Sequence, residues 1–251
     1  MKNITVVSAV RRPEMYKNVV DSLESQIGDI ITGYIVFNNS GALKQQFKDI
    51  FGSNSKVRVI NAPDSYILRN GFDSVYNTLM NAASKDDYIL MAFDTDTFEI
   101  NKDEFYKDLE KDKDVYGFKM YMQRGDVWET KYQLFKNDDL LKWFGIVHEN
   151  IVYNRQPDLL EITSLRVIHN NALDKSSKEL KKTDNGFIIL EPTEPGSDSD
   201  FRNMLYESLT WQIVNENGRH MHKNWFIEHY RINKELIDDY HNRAKEYYNA
   251  K

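Results

Sequence analysis

The chain contains no cysteine among its 251 residues. Disulfides and thiolate metal sites are therefore excluded, and any bound metal must take oxygen or imidazole ligands. A reducing cytosol fits this composition, so a cytoplasmic location is expected (the host cytoplasm if the protein is phage-encoded). No apolar run reaches the length of a membrane span. The opening MKNITVVSAVRR is too short and too polar for a signal peptide. Charge of one sign is also lacking: the formal net charge is -6 and both signs interleave. That excludes a basic stripe of the kind that holds nucleic acid through its phosphates, and any such surface would be local. There is no G-x-x-x-x-G-K-[ST] loop, no G-x-G-x-x-G, no H-E-x-x-H and no G-x-S-x-G. These absences count against the P-loop, dinucleotide-binding, zinc-protease and hydrolase classes.

The chain does have enough apolar residues for a core, at 41% hydrophobic with 13% aromatic. Its first hundred residues alternate strand and helix signals. Ile4 to Val10 is a β-branched run, and Pro13 suits the first turn of the helix that follows. Tyr16, Val19, Val20 and Leu23 then share one helical face. Tyr34 to Phe37, Val57 to Ile60 and Tyr88 to Phe93 read as further strands. Phe72, Val75, Tyr76, Leu79, Met80 and Ala83 mark a second amphipathic helix. Strands joined through helices predict a parallel sheet, with ligands bound beyond the carboxyl ends of its strands.

After residue 110 the helices thin out. Val115 to Met122, Tyr132 to Lys136 and Leu165 to Ile168 read as strands with no helices between them. The stretch 174–200 is polar, with Pro192 and Pro195, and reads as a mobile connection. Helical spacing returns at Phe201, Met204, Leu205 and Leu209 and again over 225–248.

Three places carry candidate chemistry. The strand ending YILMAF runs into Asp94-Thr95-Asp96. Carboxylates at i and i+2 of an extended chain project to one side and repel unless a cation joins them. A divalent ion shared with substrate phosphate resolves that conflict; a plain polar strand-to-loop transition is the alternative. KWFGIVHENIV, 142–152, sets His148 and Glu149 after an aromatic-glycine turn. A glutamate beside aromatics suits a general base, or it is a surface carboxylate. His169 ends the strand VIHNN and is a possible Mn²⁺ ligand if it reaches Asp96, or a structural histidine.

Taken in order, these pieces resemble a family 2 glycosyltransferase of the GT-A fold. ITVVSAVRRPEMYKNVVDSLESQ is similar to that family's first strand and helix, and YIVFNNSG to its second strand and turn. RNGFDSVYNTLMNAASKDDYILMAFDTDTF resembles its Asn-Gly helix, the next strand and the Asp-x-Asp motif. WFGIVHENIV resembles the acceptor-side motif, and VIHNN the downstream histidine. The match covers about residues 1 to 170. It implies a Rossmann-like mixed sheet flanked by helices in a GT-A catalytic domain over 1–172. Residues 1–100 would be the nucleotide-sugar-binding half and 101–172 the acceptor-side half. A mobile lid over 173–200 and a C-terminal helical extension over 201–251 would follow.

The resemblance also implies a nucleotide-sugar donor, UDP-sugar favoured, and Mn²⁺ or Mg²⁺. Asp96 would ligate the metal, Asp94 would face the ribose or the metal, and His169 would complete the metal–diphosphate site. Glu149 would be the base. Ser8 and Val10 would line the nucleotide base, and Arg11, Arg69 and Thr95 would contact the donor. Asn38 stands where the family often has an aspartate that reads uracil, which leaves the nucleotide open. Trp143, Gly145 and His148 would form the acceptor side.

The acceptor is expected to be a glycan or another small or cell-surface acceptor. A phage-type enzyme that glycosylates a modified base in DNA is the alternative, given the Lys-, Asn- and Tyr-rich composition and the local basic clusters at 178–182, 219–223 and 231–245. A non-catalytic nucleotide-sugar binder and a nucleotidyltransferase are the remaining classes. The latter would more often carry a glycine-rich basic loop where this chain has Ala9-Val10-Arg11-Arg12.

Overall fold

The computed structural model describes residues 2–38, 41–62, 66–122, 127–138, 140–144, 150–169, 180–182 and 188–190. The chain forms two compact units. The first comprises Met1–Asp64, Val75–Trp143 and Ile151–Ser176; the second comprises Ser65–Ser74, Phe144–Asn150 and Ser177–Lys251.

The opening half alternates strand and helix: β1 (Ile4–Ala9), α1 (Pro13–Ile27), β2 (Ile31–Asn38), α2 (Lys44–Phe51), β3 (Val57–Asn61), α3 (Tyr66–Ala82) and β4 (Tyr88–Met91). Then come β5 (Asp96–Ile100), α4 (Lys102–Glu110), β6 (Val115–Met122), β7 (Val127–Lys136), β8 (Leu141–Phe144), β9 (Asn150–Tyr153) and β10 (Leu159–His169). Eight strands form one sheet in the order β3-β2-β1-β4-β7-β6-β10-β5. β3, β2, β1 and β4 are mutually parallel, as the alternation predicts. β7 runs antiparallel to both β4 and β6, and β5 antiparallel to β10, so the sheet is mixed. The α/β class is the one expected.

β-branched residues account for β1, whose Ile4, Val6 and Val7 are wholly buried. Helix α1 covers the core with the predicted stripe, Tyr16, Val19, Val20 and Leu23, extended to Ile27. Burying a side chain such as Leu23 contributes roughly 1.5–3 kcal/mol. Pro13 sits at its first turn. At Gly117 in β6 a Cβ would lie 2.6 Å from the Tyr132 ring, so this close approach of β7 requires glycine.

β4 stops at Met91, two residues short of the predicted Phe93. β7 and β10 are longer than their predicted cores. The polar stretch 173–200, expected as a mobile connection, holds strands β11 (Leu180–Lys182) and β12 (Ile188–Leu190) in the second unit. They pair antiparallel, because Ile188-Ile189-Leu190 is a strand-forming run inside an otherwise polar segment. The expected C-terminal helical extension lies outside the described residues.

An ion pair fastens the start of β6. Asp114 accepts from both arms of Arg155, at 2.6 and 3.1 Å, and from the Asp158 N–H at 3.0 Å. The Arg155 guanidinium holds the Asp114 carboxyl at about 2, below its ordinary 3.8. The folded value lies below the unfolded one, so the stabilisation is complete above about pH 4 and is lost as pH falls toward 2. Arg155 is 55% exposed, so the gain is modest. Arg155→Gln should raise the midpoint of acid unfolding followed by circular dichroism; an unmoved midpoint would remove this pair from the acid response.

Candidate functional site

The carboxyl edge of the first unit's sheet gathers the loop after β1, the turn after β4, the start of β5 and the end of β10. β5 runs antiparallel to β10, so its first residue, Asp96, is in register with the last of β10, His169. Their side chains meet: His169 Nδ1 lies 2.8 Å from Asp96 Oδ1, across 73 positions of sequence. Both are buried, at 4% exposure for Asp96 and 7% for His169. A carboxylate so removed from water needs such a partner.

The other oxygen of Asp96 closes a tight turn. Asp96 Oδ2 accepts from the Phe93 N–H at 2.8 Å, and the Asp96 N–H donates back to the Phe93 carbonyl at 3.2 Å. The Phe93 ring stands edge-on to the His169 ring, 5.6 Å between centroids. The imidazole is thus fixed by a carboxylate and an aromatic ring, both from the link between β4 and β5.

Asp94 and Thr95 lie in that turn and not on an extended strand. This corrects the premise that the two aspartates project together, because the Phe93–Asp96 turn reverses the backbone between them. Asp94 faces the β1–α1 loop instead. Its Oδ2 accepts from the N–H groups of Arg11 and Arg12, at 3.1 and 3.0 Å, and from Arg12 Nε at 3.2 Å. Its Oδ1 accepts from Arg12 Nη2 at 2.8 Å. The Thr95 hydroxyl is buried with no hydrogen-bond partner among the described residues.

The predicted base-lining residues are interior. The Ser8 hydroxyl donates to Tyr16 Oη at 3.0 Å, and burial pushes the Tyr16 phenol up. Val10 belongs to the core and its N–H donates to the Phe37 carbonyl. Arg11 reaches the site through its backbone N–H. Asn38 Nδ2 donates to Asn61 Oδ1 at 2.9 Å, joining the carboxyl ends of β2 and β3.

The Trp143 ring packs on Tyr76 with centroids 4.9 Å apart and a 42° tilt, and its backbone N–H donates to Asn77 Oδ1. Its indole N–H is buried without a partner among the described residues. Arg69 falls in α3 within the second unit. Gly145, His148 and Glu149 also belong to the second unit and lie outside the described residues.

Sequence reasoning missed Arg12 and Asn61. Arg12 had a signal: a cation at the end of the first strand, directly before the helix-starting Pro13. Asn61 had none, since only the β2–β3 register places it beside Asn38.

Asp96 and His169 suit a hard divalent cation. Carboxylate oxygen and imidazole nitrogen are donor types that divalent cations accept, and Asp96 Oδ1 and His169 Nδ1 stand together at hydrogen-bond distance, 2.8 Å. Water and substrate phosphate commonly complete the coordination shell. No cluster of three metal-binding side chains occurs among the described residues. A cavity of about 600 Å³ lies elsewhere, between α2 and β3, lined by Lys44, Phe47, Lys48, Phe51 and Val59.

No family model matches the chain, and no curated protein does. Solved structures do. S. aureus TarS 1–349 is 12% identical with a TM-score of 0.49, covering 100% of this chain and 92% of its own. The same TarS segment in complex with UDP-GlcNAc gives 12% and 0.48, covering 100% and 93%. Against a longer TarS chain the match is 12% identical with a TM-score of 0.46, covering 64% of this chain and only 37% of that one. At such identity and TM-scores the likeness assigns neither activity nor ligand. No described helix is long and apolar enough to cross a membrane.

Proposed function

We propose that the chain is a metal-dependent, inverting glycosyltransferase of the GT-A, family 2 type. It would move a sugar from a nucleotide-sugar donor, a UDP-sugar by preference, to an acceptor hydroxyl. The observation that carries this reading is the meeting of Asp96 and His169 at the carboxyl edge of the sheet. Open α/β sheets bind ligands at that edge.

Asp96 and His169 would hold Mn²⁺ or Mg²⁺. When bound, the ion supplies neutralisation of the charge that develops on a departing diphosphate. Thr95, in the turn between the two aspartates, would contact the donor. Asn38 and Asn61 offer amides beside the nucleotide base. Glu149 would take the acceptor proton as the hydroxyl attacks the anomeric carbon. A single displacement of this kind inverts the anomeric configuration.

A panel of UDP-, GDP- and TDP-sugars, led by UDP-GlcNAc, tests the donor by thermal shift with and without Mn²⁺. Stabilisation by one donor that needs the metal is the expected result; none with any donor would end the reading. Glu149→Gln should lower transfer by roughly 10²–10⁴-fold while the donor's thermal shift stays, since general-base catalysis is worth about that much. An unchanged rate would remove Glu149 as the base.

A further inference from the structure

We infer that Arg12 is a positioning residue that clamps Asp94, so the two aspartates of Asp94-Thr95-Asp96 have separate tasks. Asp94 anchors the turn to the β1–α1 loop, and Asp96 alone serves the ligand.

A carboxylate has about four acceptor positions. Asp94 accepts four hydrogen bonds, three at Oδ2 from the Arg11 and Arg12 N–H groups and Arg12 Nε and one at Oδ1 from Arg12 Nη2, so the guanidinium engages both oxygens. Its side chain is 7% exposed against 30% for that of Arg12. A buried carboxylate with this set of donors is compensated by the protein, and a metal would have to displace a guanidinium fork to bind it. Asp96 differs. One of its oxygens closes the turn and the other meets an imidazole, which is itself a metal-ligating group.

The clamp also joins two parts of the edge. β1 and β4 are neighbours in the sheet, so the loop after one and the turn after the other end side by side. Arg12 locks them together. The same lock fixes where Thr95 and Asp96 stand relative to the start of α1. Lysine cannot replace it, because an ammonium lacks the planar fork.

The test uses the full chain as Arg12→Met, Arg12→Lys, Asp94→Asn and the Arg12→Met/Asp94→Asn double variant. Thermal unfolding without metal reads the clamp. Arg12→Met should lower Tm by about 5 °C or more, because it strands a buried charge. The double variant should fall no further than Arg12→Met alone, and Arg12→Lys should restore less than half of the loss. Losses that add would overturn the clamp, as would full rescue by lysine.

Titration of Mn²⁺ by electron paramagnetic resonance reads the division of tasks. Asp94→Asn should keep the wild-type affinity within about threefold, whereas Asp96→Asn loses it at least about tenfold. Equal losses would make Asp94 a ligand and sink the inference. This second arm rests on the proposed function. If the wild type binds no Mn²⁺, the metal reading fails and the melting arm still decides whether Arg12 clamps Asp94.

Discussion

Asp96→Asn is expected to reduce transfer at least about 100-fold, more than the loss of an outer-shell partner costs. The substitution is nearly isosteric. Its amide oxygen can still accept from the Phe93 N–H, so the turn survives. What disappears is the negative charge beside His169. An amide is a poorer ligand for a hard cation than a carboxylate, and a neutral pair gives up most of its Coulombic hold on the ion. The Tm without metal should move by only a few degrees, about 3 °C, since one hydrogen bond of about 1 kcal/mol changes character. Steady-state transfer and Mn²⁺ titration on the same preparation check this. Full activity with unchanged Mn²⁺ binding would show that the chemistry lies elsewhere on the chain.

Asn137→Ala is expected to give a large loss of stability, although Asn137 touches no candidate site residue. It follows β7 and is wholly buried. Its Nδ2 donates toward the carbonyls of Met80, Ala83 and Ser84 at 3.2, 3.3 and 2.8 Å. These carbonyls lie at and just beyond the end of α3, where the regular helical N–H donors run out, and among the described residues only the Ala83 and Asp87 N–H groups reach the Met80 and Ser84 carbonyls, at 3.2 and 3.3 Å. An amide carries two N–H groups, so two of the three contacts form fully at any moment. The backbone N–H of Asn137 also holds the Asp87 carbonyl at 3.0 Å, and that bond survives substitution. Alanine leaves the Ala83 carbonyl without a donor among the described residues, while the Met80 and Ser84 carbonyls keep only the backbone N–H groups of Ala83 and Asp87. For one stranded buried acceptor the loss is roughly 1–3 kcal/mol, or about 2–12 °C in Tm. A loss under about 1 kcal/mol would mean that water enters and satisfies those carbonyls.

The two substitutions separate chemistry from folding. Asp96 sits at the carboxyl edge, where open α/β sheets bind ligands, with its turn closed by its own Oδ2 and its backbone N–H. Asn137 sits inside, where one amide closes a helix and joins it to the sheet. Asp87 makes a similar interior knot: its Oδ2 accepts the hydroxyls of Thr5 and Thr32 at 2.6 and 2.5 Å, tying β1, β2 and β4 together at the amino edge. Buried carboxylates thus occupy both edges of this sheet. At the amino edge Asp87 is satisfied by hydroxyls and Asp114 by Arg155, and those at the carboxyl edge face Arg12 and His169.

The sequence by itself determined the four strands through β4 and the helices α1 and α3, because hydrophobic periodicity is local; the eight-residue α2 between β2 and β3 lies outside that reading. Four apolar strands, the stripe on α1 and Pro13 at its first turn could be read within short windows. It also singled out Asp94, Asp96 and His169, since charges at the ends of apolar strands mark a sheet's binding edge. Only the tertiary structure decided which of them meet. β5 is five residues long and opens on a charge, so no periodicity announces it. Its antiparallel pairing with β10 brings Asp96 to His169. The division between Asp94 and Asp96 depends on the backbone reversal at Phe93–Asp96 and on β1 and β4 lying side by side. Both are non-local outcomes of strand pairing and turn geometry, and the identity of residues at i and i+2 contains neither.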